Sequence, residues 1–105
     1  MTESKRLSIY TKYDGHCAYC GRKIKQKAMT VDHLMPQSKG GGNGIENLMP
    51  SCRECNHAKG ADIIETFRLR FFWDSLKPSE LVTYDKMVSA MKTKHFYFET
   101  LGEKK

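Results

Sequence analysis

The sequence predicts a small α+β fold of strand, loop, strand and helix, bracketed by two cysteine pairs and followed by further helices. Three observations carry that prediction. The cysteines form two CxxC pairs, Cys17–Cys20 and Cys52–Cys55, with 31 residues between them. Between the pairs, two short extended stretches flank a glycine-rich run. Past residue 61, apolar residues recur at helical intervals.

At 105 residues and 12.1 kDa, the chain has the size of one domain spanning 1–105. Apolar residues make up 39% of it, enough for a modest core. So short a chain buries a small share of its surface, and a metal staple would help it.

Leu7, Ile9, Tyr10 and Tyr13 fit a short helix feeding the first cysteine pair. Asp14-Gly15 is a turn signal. Cys17-Ala-Tyr-Cys20-Gly21 reads as a knuckle whose tight turn aims both sulfurs at one point. Met29-Thr30-Val31 predicts a strand into Asp32, ended by Pro36, since proline lacks a ladder N–H. Residues 37–44 cannot pack a core and predict a flexible connection of hairpin type. Ile45–Met49 returns as a second extended segment stopped by Pro50, with Ser51 capping a helix that Gly60 ends.

Asp62 is expected to cap another helix, with Ile63, Ile64, Phe67, Phe71 and Trp73 as its buried stripe. Pro78 suits a first helical turn, and Leu81, Tyr84, Val88 and Met91 mark a further helix. His95–Phe98 reads as a terminal strand.

Four cysteines in two CxxC pairs match a tetrahedral structural Zn²⁺ site. Two disulfides, or a redox CxxC in a thioredoxin-like context, are the other uses of such pairs. The N-terminus has no apolar run that would serve as a signal peptide, and no segment approaches the ~20 apolar residues of a membrane helix. The expected compartment is therefore the cytoplasm, where thiols stay reduced and zinc is the favoured reading.

Asp32 and His33 are adjacent, and a strand sends adjacent side chains to opposite faces. They offer separable functions: a hard oxygen ligand for a divalent ion, and a base that titrates near neutrality. A surface pair at a strand end is the plainer alternative. Asn47 and Asn56 are poor choices inside regular structure without a hydrogen-bonding task. Asn56 follows Cys55 directly, on a helix whose position the zinc would fix, and its carbonyl oxygen offers a second metal ligand. The plainer alternative is that these asparagines are turn or cap residues.

At this point the pattern resembles a known family. Asp32-His33, Pro36, Gly41-Gly42, Glu46-Asn47-Leu48 and Cys55-Asn56, with Lys59 three residues on, lie in order between and around the CxxC pairs. They are similar to an HNH endonuclease of the ββα-metal class, over about residues 10–60. The resemblance implies that residues 10–60 are a catalytic ββα-metal core holding the zinc site, with 61–105 a helical C-terminal extension. It implies that His33 is the general base for water and that Asp32 and Asn56 hold the catalytic Mg²⁺ or Mn²⁺. It implies that Asn47 pins the loop that orients His33. Asn56 stands where the family's name has its second histidine, while His57 is one place out of register and reads as a neighbour. The implied reaction is hydrolysis of DNA to a 5′-phosphate and a 3′-hydroxyl.

The formal charge of +6 agrees with a polyanionic partner without identifying one. Its excess lies in residues 1–61, which carry ten Lys and Arg against five Asp and Glu. Lys27, Lys39 and, from the family pattern, Lys59 are the candidates for phosphate contacts. Two other readings fit the same residues: a zinc-stapled nucleic-acid-binding module without catalysis, and one component of a phage or restriction assembly docked through residues 62–105. The sequence assigns neither an oligomeric state nor a target.

Overall fold

The computed structural model describes residues 1–103. In chain order it has α1 (Glu3–Thr11), β1 (Thr30–His33), β2 (Leu48–Ser51), α2 (Arg53–Lys59), α3 (Ile64–Phe71), α4 (Tyr84–Met91) and α5 (Tyr97–Glu103). Strands β1 and β2 form a two-stranded antiparallel sheet that pairs Thr30 with Ser51, Val31 with Pro50, Asp32 with Met49 and His33 with Leu48. Helix α2 packs against β1 and α1 against β2, so the predicted order of strand, loop, strand and helix is the order observed. This is the α+β fold expected, a ββα core with additional C-terminal helices.

Local chemistry starts and stops these elements. Thr2 caps α1, its hydroxyl accepting the Lys5 N–H. Helix α2 is capped by Cys52 rather than Ser51: the Cys52 sulfur accepts the Cys55 N–H, while the Ser51 hydroxyl is buried and donates to the Cys52 carbonyl. Gly60, at φ +55°, ends α2 as expected.

Pro50 does not stop the second strand; it lies inside it. Its carbonyl points away from β1 to accept the Ala18 N–H at 2.9 Å. The N and O of one strand residue share an edge, so the missing donor falls on the outer edge, where the ladder loses nothing. The loop between the strands is not a floppy connection either. Residues 37–39 and 45–47 form single 3₁₀ turns, and hydrogen bonds from Asn47 close the loop on itself.

The core gathers Ile9, Cys17, Ala18, Tyr19, Leu48, Met49, Phe67 and Phe96. Beyond α2 the expected burial holds only in part. Phe67 is buried, but Phe71 and Trp73 are 39% and 47% exposed. Asp62 caps nothing: its carboxylate pairs with Arg70. Leu81 precedes α4, and Tyr84 is 75% exposed.

His95–Phe98 is not a strand. The Glu99 carboxylate accepts the Phe96 N–H at 2.8 Å and α5 begins at Tyr97. The Tyr97 and Phe98 N–H groups instead dock on the Tyr19 and Ala18 carbonyls at 3.1 and 2.8 Å. That docking sets the extension directly on the first cysteine knuckle.

Arg68 secures it from the other side with a two-pronged contact to Glu99 at 2.5 and 2.7 Å. Partial burial pushes the Glu99 carboxyl up, but bonds from Arg68 and the Phe96 N–H outweigh it and hold the group below its usual range. A carboxyl lowered in the folded state stabilises above its unfolded value of about 4.3 and loses that contribution as pH falls through the lowered value. Thermal midpoints measured from neutral pH downward should therefore fall below about pH 5, with a shallower acid limb for Glu99→Gln. Superimposable limbs for the two proteins would remove this assignment.

Candidate functional site

The cysteines converge. Backbone bonds fold the first pair back: the Cys17 N–H donates to the Arg22 carbonyl at 2.8 Å and the Gly21 N–H to the Cys17 carbonyl at 3.0 Å. Gly21 lies at φ +80°, a conformation that glycine adopts without strain. The second pair spans the start of α2. All four sulfurs lie within 4.8 Å of one another, and those of Cys20 and Cys52 are 3.9 Å apart. Zn–S bonds of about 2.3 Å in a tetrahedron put sulfurs about 3.8 Å apart, so the donor set and its spacing fit that ion.

The thiols' own chemistry points the same way. A hydrogen bond from Cys55, more than any other influence, draws the Cys17 thiol down to about 4. Burial pushes Cys52 up to about 11, and the bond to Cys17 drives Cys55 higher still. Such crowded sulfurs hold one negative charge readily and four only around a cation.

Asp32 and His33 do leave β1 on opposite sides. Asp32 is 6% exposed, and its Oδ2 accepts the Tyr19 hydroxyl at 2.5 Å and pairs with Lys59 Nζ at 3.0 Å. Burial, then the Asp32 charge, raises the Tyr19 phenol far above its ordinary value, so it remains a donor. Oδ1 of Asp32 makes no hydrogen bond among the described residues, and no fully buried side-chain polar atom there lacks a partner. Oδ1 is therefore the oxygen open to a ligand. The Asn56 side chain on α2 is likewise without a hydrogen bond among those residues.

His33 is half-buried, and its Nε2 lies 2.8 Å from Asn43 Oδ1. With the Asn43 oxygen as acceptor, Nε2 is the donor, and Nδ1 makes no hydrogen bond among the described residues. Gln37 donates to the same Asn43 oxygen at 3.2 Å, and Lys5 holds the Asn43 carbonyl at 2.8 Å. Asn47 binds the loop three ways: Oδ1 accepts the Met35 N–H at 2.8 Å, and Nδ2 donates to the Met35 and Gly42 carbonyls at 3.0 and 2.9 Å.

Sequence reasoning singled out neither Asn43, which reads as an ordinary turn residue, nor the Tyr19 hydroxyl. It also expected Lys59 at a phosphate. The structure places Lys59 elsewhere: its side chain is 0% exposed, and besides Asp32 its ammonium holds the His33 carbonyl at 2.8 Å. Lys39 reaches the Ala61 carbonyl at 2.7 Å, and Lys27 stands exposed on the turn before β1. His57 is exposed, and His16 bonds the Gly21 carbonyl and meets the Tyr97 ring at a tilt.

Residues 17–62, which hold all four cysteines together with Asp32, His33, Asn47, Asn56 and Lys59, match the family model for the HNH endonuclease. Over this stretch the chain is similar to that family. Over 56 residues, 52% of its length, the chain is 42% identical to the CRISPR-associated endonuclease Cas9 of Corynebacterium diphtheriae, covering 5% of that protein. Over 89 residues, 79% of the chain, it is 30% identical to the Cas9 of Listeria innocua, covering 7%. The crystal structure of the Type II-C Cas9 enzyme from Actinomyces naeslundii aligns with a TM-score of 0.58 and 28% identity, over 64% of this chain and 7% of that one. The chain thus spans 5–7% of the length of the relatives it matches. Among the described residues, no helix is long and apolar enough to cross a membrane.

Two consequences of this arrangement can be measured. The purified protein should carry one zinc per chain by elemental analysis, and stripping it with a strong chelator should abolish the cooperative melt. A zinc-free protein with an unchanged melt would reject the staple. Gly41 matters by close approach: a Cβ there would stand 1.7 Å from the Met35 carbonyl oxygen. Gly41→Ala should destabilise by about 1–3 kcal/mol in denaturant titration and open the 35–47 loop to protease. Wild-type behaviour would mean that the loop is not clamped.

Proposed function

We propose that this chain is a metal-dependent endonuclease that hydrolyses phosphodiester bonds in DNA. The observation that carries the reading is the pairing of opposite exposures on β1. Asp32 keeps one unbonded oxygen on the inner side, near the α2 helix that bears Asn56, and His33 keeps an unbonded Nδ1 on the outer side. A binding module has no use for that set.

In this reading His33 is the general base. Asn43 holds the Nε2 proton, so Nδ1 accepts a proton from the attacking water, a contribution of roughly 10²–10⁴-fold. Asp32 Oδ1 and the Asn56 carbonyl oxygen hold a Mg²⁺ or Mn²⁺, two protein ligands being what such an ion takes when water and substrate supply the rest. That ion, when bound, supplies Lewis-acid stabilisation of the phosphoryl oxygens and the leaving oxygen. Asn47 keeps the loop closed, and with it the Asn43 that orients His33. The cysteines hold Zn²⁺ as a staple. Lys27 and Lys39 face the DNA backbone, contributing affinity without base reading. We assign the chemistry to residues 10–60 and treat 61–105 as an extension of one domain, working in the cytoplasm, where cysteines stay reduced and able to hold zinc.

Plasmid nicking tests the proposal. Cleavage should require Mg²⁺ or Mn²⁺ and stop with EDTA. His33→Ala should lower the rate at least 100-fold, by the general-base magnitude above, while zinc content and circular dichroism stay as in the wild type. An equally active His33→Ala protein would end this mechanism; salt-sensitive DNA binding with no turnover would favour a binding module.

A further inference from the structure

Tyr19 sits between the two cysteines of the first knuckle, yet its hydroxyl reaches Asp32 Oδ2 at 2.5 Å. Lys59 Nζ meets the same oxygen at 3.0 Å and anchors on the His33 carbonyl at 2.8 Å. Two donors on one oxygen stop the carboxylate from rotating and leave Oδ1 as its only unbonded atom. The phenol is itself held. The rings of Phe67 and Phe96 meet it edge-on, each at 5.5 Å between centroids, and the Tyr19 carbonyl accepts the Tyr97 N–H. The hydroxyl thus takes its position from two places: the cysteine knuckle and the C-terminal extension.

We propose that Tyr19 and Lys59 clamp Asp32 Oδ2 and thereby present Oδ1 to the divalent ion, with Tyr19 the positioning residue that couples the cysteine-bound metal to the second ion site. The extension becomes a buttress of that site, because Phe67 and the residue 96–98 segment enclose the phenol. This inference rests on the reading of Asp32 as an ion ligand.

Removing such an outer partner lowers metal affinity by about 10–100-fold. The experiment is Mn²⁺ binding to the zinc-loaded full chain, followed by the electron paramagnetic resonance of free Mn²⁺, for wild type and Tyr19→Phe. Phenylalanine keeps the ring and its packing and removes only the O–H. Zinc content and the far-ultraviolet spectrum should stay unchanged, and the Mn²⁺ dissociation constant should rise about 10–100-fold. Nicking by Tyr19→Phe should recover at saturating Mn²⁺ with its KM for DNA unaltered. Wild-type Mn²⁺ affinity in Tyr19→Phe overturns the clamp alone. A wild-type protein that binds no Mn²⁺ overturns the ligand reading of Asp32, and the clamp with it. If Tyr19→Phe loses zinc, a crystal structure of the wild type with Mn²⁺ decides. Oδ1 on the ion with Oδ2 still on Tyr19 supports the clamp, and a hydroxyl withdrawn from Asp32 overturns it.

Discussion

Burying an ammonium costs several kcal/mol unless an opposite charge and further acceptors meet it. For Lys59 both come from β1, the carboxylate of Asp32 and the carbonyl of His33. The last residue of α2 is thereby tied to two neighbouring residues of the strand it packs on. Because the ammonium has no route to water, helix and strand cannot slide without leaving a charge unpaired. The orientation of α2, and of the Asn56 it carries, follows from this contact as much as from the cysteines at its other end.

Those cysteines do what apolar burial does in a larger domain. The buried core is small and partly aromatic, and three of its members are Cys17, Cys52 and Cys55, with Cys20 exposed beside them. Cys52 illustrates the economy: one sulfur faces the cluster and also accepts the Cys55 N–H that starts α2. The cluster and the Lys59 pair hold the helix at opposite ends.

Much of this was legible in the sequence because it rests on local rules. Paired cysteines, β-branched residues before Asp32 and Gly60 after α2 each signal their own structure within a few residues. What escaped depends on contacts distant along the chain. Pro50 reads as a breaker until Ala18, 32 residues earlier, is seen taking its carbonyl on the outer edge. His95–Phe98 has strand composition, but Glu99 caps the segment and the Tyr19 carbonyl takes its donor. Lys59 looks like any surface lysine at a helix end. Only the fold shows that its partner is 27 residues back. Asn43 was illegible for another reason: a glycine-rich loop invites asparagine as a turn residue, and nothing in the spacing indicates that its side chain points at His33.

The strand's period of two then explains why Asp32 and His33 can be adjacent and still occupy separate environments. One residue along β1 turns the side chain from the interior, where Tyr19 and Lys59 hold Asp32, to the loop side, where Asn43 holds His33. The interior position fixes the Asp32 rotamer through two contacts, while the loop side leaves His33 half-buried with one ring nitrogen held. Inserting or deleting a single residue in β1 would exchange these environments, giving His33 the interior and Asp32 the loop side. The Asn47 clamp on Met35 and Gly42 guards the same register from the loop side, since it fixes how far the chain travels between His33 and Leu48.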